Sequence, residues 1–207
     1  MQLFNASAVA NFYRLAYNPA LCLPHLRVDS FDKLVFPLAI PGASIRAIVL
    51  DKDNCFAKDH DEKIWPAYQQ AWERLRAAYF AEYILIVSNS AGTNDDAGHK
   101  QAEKLEQETG VCVLRHATKK PGCHAEIMEH FSERGITRAD EIAVIGDRLL
   151  TDVLMANMMG AWSVWLSEGV QRSTALFPRM ERYVYKMAMR ADPFVPPMPD
   201  SRTEEDI

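Results

Sequence analysis

The chain has 207 residues, enough for one domain with room for a second small one. Its 48% apolar and 25% charged residues are those of an ordinary globular protein, and a net charge of -5 argues against a general nucleic-acid binder. Cys22, Cys55, Cys112 and Cys123 form no Cys-x-x-Cys pair and read as reduced thiols, no apolar run is long enough to span a bilayer, and no secretory signal is recognised.

Residues 1–28 lack Asp and Glu. Leu3, Phe4, Val9, Phe12, Tyr13, Leu15 and Ala16 fall on one face at helical spacing, and Asn18-Pro19 ends that helix. Three readings are open: a core-packing helix, a helix lying in a membrane interface, or part of a mitochondrial targeting signal. Residues 19–44 carry Pro19, Pro24, Pro37, Pro41 and Gly42 and form a lead-in with turns, with an added edge strand expected near 34–40. The β-branched run 45–50 then reads as a buried parallel strand. A helix follows over 64–80, with Trp65, Tyr68, Trp72, Leu75 and Tyr79 at helical spacing and Pro66 in its first turn. Further strands are expected at 83–87, 111–114, 141–145 and 161–166. Between them lie helices over 95–109, closed by Gly110, over 123–134, followed by Gly135, and over 151–159. This alternation predicts an α/β fold with a doubly wound parallel sheet. Residues 176–190 read as a basic helix, and the proline-rich, acidic-ending tail 191–207 is expected to be flexible.

In such a sheet the C-terminal strand ends meet on one edge. Asp51 and Asp53 stand just past the 45–50 strand and, two residues apart in extended chain, point the same way. The edge gathers Asp51, Asp53, Ser88, Asn89, Lys120, Asp147 and Asp152. Several carboxylates, one lysine and neutral donors suit Mg2+ with a phosphate group. Cys112, His116, Cys123 and His124 offer zinc-type ligands, but their spacing is irregular for such a site.

Asp51-x-Asp53, Ser88 after a strand, Lys120-Pro121 and Gly146-Asp147-x-x-x-x-Asp152 occur in this order. Together they resemble the four motifs of the haloacid dehalogenase (HAD) superfamily. The resemblance implies a HAD-like Rossmannoid fold and a nucleophilic Asp51 that forms an aspartyl-phosphate. It implies that Asp53 protonates the leaving oxygen and then activates water, and that Lys120 neutralises the phosphate, with Lys119 as the alternative. Ser88 and Asn89 would bind substrate. Mg2+ would be held by Asp51, the Asp53 carbonyl and Asp147, with Asp152 supporting it directly or through another ligand. An acid at position 53 is typical of the phosphatase branch. Cys55 departs from the Thr or Val usual in the superfamily.

A narrower resemblance covers most of the chain. Asp51-Lys52-Asp53-Asn54, Val87-Ser88-Asn89-Ser90, Gly146-Asp147-Arg148-x-x-Thr151-Asp152 and Leu15-x-Tyr17-Asn18-Pro19-x-Leu21-x-Leu23-Pro24-His25 are similar to fungal mitochondrial phosphatidylglycerophosphate phosphatases. It implies hydrolysis of phosphatidylglycerophosphate to phosphatidylglycerol, a step toward cardiolipin, by a peripheral protein on the matrix side of the inner membrane. The expected organisation is an N-terminal amphipathic segment and lead-in over 1–44, a phosphatase domain over 45–190 and the tail 191–207. The links after Asp53 and Leu114 are too short for a cap domain. The expected partners are the anionic phospholipid and the membrane surface, not nucleic acid, and homo-oligomerisation is left open. Membrane contact falls to residues 1–17 and to Arg179, Arg182, Lys186 and Arg190, which helical spacing places in one basic stripe. The alternatives are a soluble phosphatase of the same fold acting on a small phosphomonoester, and a non-catalytic lipid-binding scaffold. The intact acid set argues against the scaffold, because clustered carboxylates without a cation cost stability.

Overall fold

Ala47–Leu50 (β2) is a run of apolar side chains with nothing to offer water, and the computed structural model of the protein buries it on both faces. The structure describes residues 17–171, 181, 183, 185 and 195–199. Residues 1–16 and the cations Arg179, Arg182, Lys186 and Arg190, expected at a membrane, lie outside the described residues, as does most of the tail.

β2 sits in a sheet with Leu26–Val28 (β1), Ile84–Ile86 (β3), Cys112–Val113 (β4), Ile142–Gly146 (β5) and Trp162–Leu166 (β6). Among the described residues this is a 6-stranded sheet in the order β1-β6-β5-β2-β3-β4, and every pairing is parallel. The chain leaves β2 on one side for β3 and β4, then crosses back to β5 on the other. The reversal falls between β2 and β5, where open α/β sheets place their ligand crevice.

Alternate side chains of β2 feed two cores. Ile48 and Leu50 pack with Trp72 and Leu75 of Gln69–Ala78 (α1) and with Ala102 and Leu105 of Lys100–Thr109 (α2). Ala47 and Val49 pack on the opposite face with Ile127 and Phe131 of His124–Ser132 (α3) and with Met155 and Ala156 of Leu154–Met159 (α4). Helices thus cover both faces, as the alternation predicts. The helix expected over 64–80 begins as a tighter turn, Pro66–Tyr68, before α1 proper.

The added edge strand is present but not where it is expected. It is Leu26–Val28, paired in register with Val164–Leu166 at the far edge from β4. Segment 34–40 buries Leu34, Leu38 and Ile40 against the core without joining the sheet. Pro37 has no N–H to give to a ladder, and the Leu38 N–H is spent on the Tyr79 hydroxyl at 3.0 Å. No separate domain interrupts the described chain after β2 or after β4. No helix among the described residues is long and apolar enough to cross a membrane.

Candidate active site

The Asp51 N–H continues the β2 ladder by donating to the Ile145 carbonyl at 2.9 Å, which fixes Asp51 at the carboxyl edge of the sheet beside the end of β5. Gly146, the last residue of β5, has no space for a side chain: a Cβ there would lie 2.3 Å from Asp152 Cγ. That close approach brings in Asp152 from the π-helical turn Leu149–Val153, which leads into α4. Asp152 Oδ2 also accepts the Arg148 N–H at 3.1 Å. Asp51, Asp147 and Asp152 therefore offer carboxylate oxygens that all lie within 4.8 Å of one another, and the group can hold a metal ion.

Lys120 enters from the loop after β4. Its Nζ donates to Asp51 Oδ1 at 2.5 Å and to Asp152 Oδ1 at 2.6 Å, and its side chain is 3% exposed. Asn89 holds this loop in place, its Oδ1 accepting the Lys120 N–H at 2.8 Å. His116 clasps the same loops, its ring nitrogens facing the Ser88 carbonyl at 3.0 Å and the Thr118 carbonyl at 2.7 Å. Lys119, the alternative phosphate contact, instead pairs with Asp95 at 2.5 Å.

Asp53 stands beside this cluster with its two oxygens differently placed. Oδ1 accepts from Lys52 Nζ at 2.5 Å and from the His60 N–H at 2.9 Å. Oδ2 faces the Ser88 and Ser90 hydroxyls at 3.5 and 3.4 Å. Asn54 follows in the left-handed region, with φ 56, a conformation that asparagine tolerates better than most residues. Its Nδ2 donates to Asp147 Oδ2 at 2.9 Å, while its carbonyl accepts the Val170 N–H at 3.0 Å and its Oδ1 the Gln171 N–H at 2.9 Å. Gly169 permits that contact, since a Cβ there would lie 2.3 Å from the Asn54 carbonyl oxygen. The segment after β6 thus braces the loop after β2.

The charges do not balance. Burial pushes the Asp51 carboxyl up to about 7 despite Lys120 beside it, with repulsion from Asp152 and Asp53 adding to the rise. Burial, then repulsion from Asp51 and Asp152, raises the Asp147 carboxyl well above the usual range. Burial works against the Lys120 ammonium, but Asp152 and Asp51 outweigh it and raise its pKa. One ammonium among three clustered aspartates leaves negative charge that a proton or a divalent cation relieves. An all-oxygen set of this kind suits a hard ion.

Among the described residues the zinc-type ligands are not gathered. Cys123 Sγ packs 3.5 Å from Met155 Sδ, His116 is committed to carbonyls, and Cys112 is exposed on β4. Sequence reasoning gives no role to Lys52 or Asp96, and gives His116 only a place among the zinc-type ligands. Asp96 accepts the N–H groups of Gly92, Gln101 and Ala102, each at 3.0 Å, and so ties the Ser88 loop to the first turn of α2. The signal available for Lys52 is its place inside the Asp51-x-Asp53 motif. For Asp96 it is a carboxylate one turn ahead of a helix.

A doubly wound sheet with an acidic cluster and one lysine at its carboxyl edge can hold a divalent cation and a phosphate group. The comparisons say which family builds it. Residues 6–171 match the family model described as mitochondrial PGP (phosphatidylglycerophosphate) phosphatase, and the chain belongs to that family. It is 51% identical over 182 residues to the mitochondrial phosphatidylglycerophosphatase of Saccharomyces cerevisiae, covering 87% of this chain and 97% of that one. It is 31% identical over 204 residues to the probable mitochondrial phosphatidylglycerophosphatase of Schizosaccharomyces pombe, covering 94% and 97%. The chloroplastic/mitochondrial phosphatidylglycerophosphate phosphatase 1 of Arabidopsis thaliana is 35% identical over 157 residues, 75% of this chain and 43% of that one.

Proposed function

We propose that the protein hydrolyses phosphatidylglycerophosphate to phosphatidylglycerol and phosphate through a phosphoenzyme on Asp51, with Mg2+ as cofactor. It would act as a peripheral protein on the matrix side of the inner mitochondrial membrane. The substrate follows the names of the relatives. The observation that carries the chemistry is the Lys120 ammonium on Asp51 beside the aspartate cluster.

An Asp51 oxygen attacks phosphorus, and the bond from phosphorus to the leaving glycerol oxygen breaks. The electron pair stays on that oxygen, which takes a proton from Asp53. Water then attacks the phosphoenzyme and gives a proton to Asp53, and the electron pair of the bond between Asp51 and phosphorus returns to the aspartate. Lys120 offsets charge on the phosphoryl oxygens, and the Ser88 hydroxyl donates to one of them. Mg2+, held by Asp51, Asp147, Asp152 and the Asp53 carbonyl, would supply positive charge facing the phosphoryl group. With no domain inserted after β2 or β4, a head group projecting from a bilayer can enter.

The test is a substrate panel with Mg2+ that compares phosphatidylglycerophosphate with water-soluble monoesters, run beside Asp51→Asn. The lipid is expected to be the better substrate and Asp51→Asn to be inactive. Turnover in Asp51→Asn overturns the phosphoenzyme, and a preference for soluble esters overturns the lipid assignment.

A further inference from the structure

Lys52 lies between the two catalytic carboxylates, where alternation in extended chain turns a side chain away from its neighbours on either side. Its long stem nevertheless brings the ammonium back to Asp53. The side chain is 2% exposed, against 30% for Asp53. Nζ donates to Asp53 Oδ1 at 2.5 Å and to the Asp61 carbonyl at 3.0 Å. A buried ammonium is costly unless paired, and an apolar side chain would fill the same space without that cost. The proposed chemistry of Asp51 and Asp53 leaves this cation without a role.

We infer that Lys52 is a positioning residue for proton transfer by Asp53, an inference that rests on the acid–base role proposed above for that carboxyl group. Oδ1 already accepts from the Lys52 ammonium and the His60 N–H, so it has little capacity to carry a third hydrogen. The transferable proton therefore sits on Oδ2, the oxygen that faces Ser88 and Ser90 across longer contacts of 3.5 and 3.4 Å. The Lys52 contact also fixes the rotamer of Asp53, so that Oδ2 rather than Oδ1 points to the leaving oxygen. On leaving-group departure the proton passes from Oδ2 to the alkoxide. In the second step the proton of the attacking water returns to the same oxygen.

The test separates this role from simple support of the 53–61 loop. Formation of the phosphoenzyme is followed in single turnovers with an alkyl phosphate and with 2,4-dinitrophenyl phosphate, whose leaving oxygen needs no proton. Lys52→Met is expected to slow the alkyl ester about 10²-fold and to leave the dinitrophenyl ester near the parent rate. The dinitrophenyl ester should then show a burst, because water attack still needs Asp53. Lys52→Gln, which keeps a neutral donor, should show the same split at smaller size and serves if Lys52→Met does not fold. Equal slowing of both esters, or parent rates on both, overturns the inference. Asp53→Asn run in parallel isolates the underlying reading: a parent rate on the alkyl ester there overturns the acid–base role of Asp53 itself.

Discussion

Lys120 Nζ lies 2.5 Å from Asp51 Oδ1 and so ties the loop after β4 to the end of β2 through a contact spanning 69 residues of sequence. Lys120→Met should lower kcat by at least about 10²-fold, because charge developing on the phosphoryl group loses its fixed cation. Leaving Asp51 and Asp152 without that partner should also cost about 3–5 kcal/mol of stability. Lys119→Ala removes only the partly exposed pair with Asp95 and should cost about 1 kcal/mol or less. Steady-state kinetics and urea unfolding of both variants check this. A crippled Lys119→Ala with a normal Lys120→Met would reverse the assignment.

The aspartate cluster makes stability depend on pH in a stated direction. Asp51, raised by burial to about 7, and Asp147, also raised by burial, bind protons more tightly folded than unfolded. For Asp51 the contribution is complete below the unfolded carboxyl value of 3.8 and is lost as pH rises through about 7, and for Asp147 it is lost in the same direction. The metal-free melting temperature should therefore fall between about pH 4 and pH 7. The increase produced by Mg2+ should grow over the same interval, because the ion competes with those protons. His25 and His130, lowered by burial, pull the other way at the acidic end. Asp51→Asn retains both histidines, so a shallower slope in that variant isolates the carboxylate effect. A slope unchanged by Asp51→Asn contradicts it.

Gly146 sets how near Asp152 comes to the strand end. In Gly146→Ala the new methyl would lie 2.3 Å from Asp152 Cγ, and the carboxylate must move. The variant should lose most of its stabilisation by Mg2+, read by thermal scanning, along with its turnover. Gly135→Ala is the control: its φ of +74 strains an alanine by about 1–2 kcal/mol, but nothing stands within 4 Å of the added carbon. It should keep its response to Mg2+.

Docking on anionic lipid is expected from residues 1–17 and from Arg179, Arg182, Lys186 and Arg190. Each cation near such a surface contributes about 1 kcal/mol. Tyr17 and Tyr183, described residues within those segments, are exposed. Deleting 1–17, or replacing the four cations with Gln, should reduce co-sedimentation with anionic liposomes. Added salt should weaken binding by the parent. No binding by the parent at low salt would remove the idea.

The parallel core is legible because β2, β3, β5 and β6 are short apolar runs followed by polar loops. β1 is not, because Leu26-Arg27-Val28 is three residues long with an exposed arginine in the middle. Segment 34–40 shows the opposite failure: Leu34, Leu38 and Ile40 give it a strand-like alternation, but Pro37 and the Tyr79 hydroxyl keep it out of the ladder. At the site, Asp51, Asp53 and Asp147 can be read because acids closely follow buried runs, and Asp152 by its spacing from Asp147. Lys52 cannot, since strand alternation directs it away from the cleft and only its long stem returns it. His116 binds main-chain groups whose positions depend on folded loops, which no residue pattern encodes, and Asp96 carries only the general sign of an acid ahead of a helix.

The pairing of β1 with β6 also orders events in time. His25 and Ser163, which meet at that edge, are 138 residues apart in sequence. A chain that emerges N-terminus first carries Leu26–Val28 without a partner until nearly the whole sheet has been made, and closing so long a loop comes late in folding. Until then the outer side of Trp162–Leu166 is an open edge, a template on which a second molecule can pair. A truncation that begins after Val28 would expose the five-residue edge of Trp162–Leu166 in place of the three-residue edge of Leu26–Val28, and should aggregate more readily.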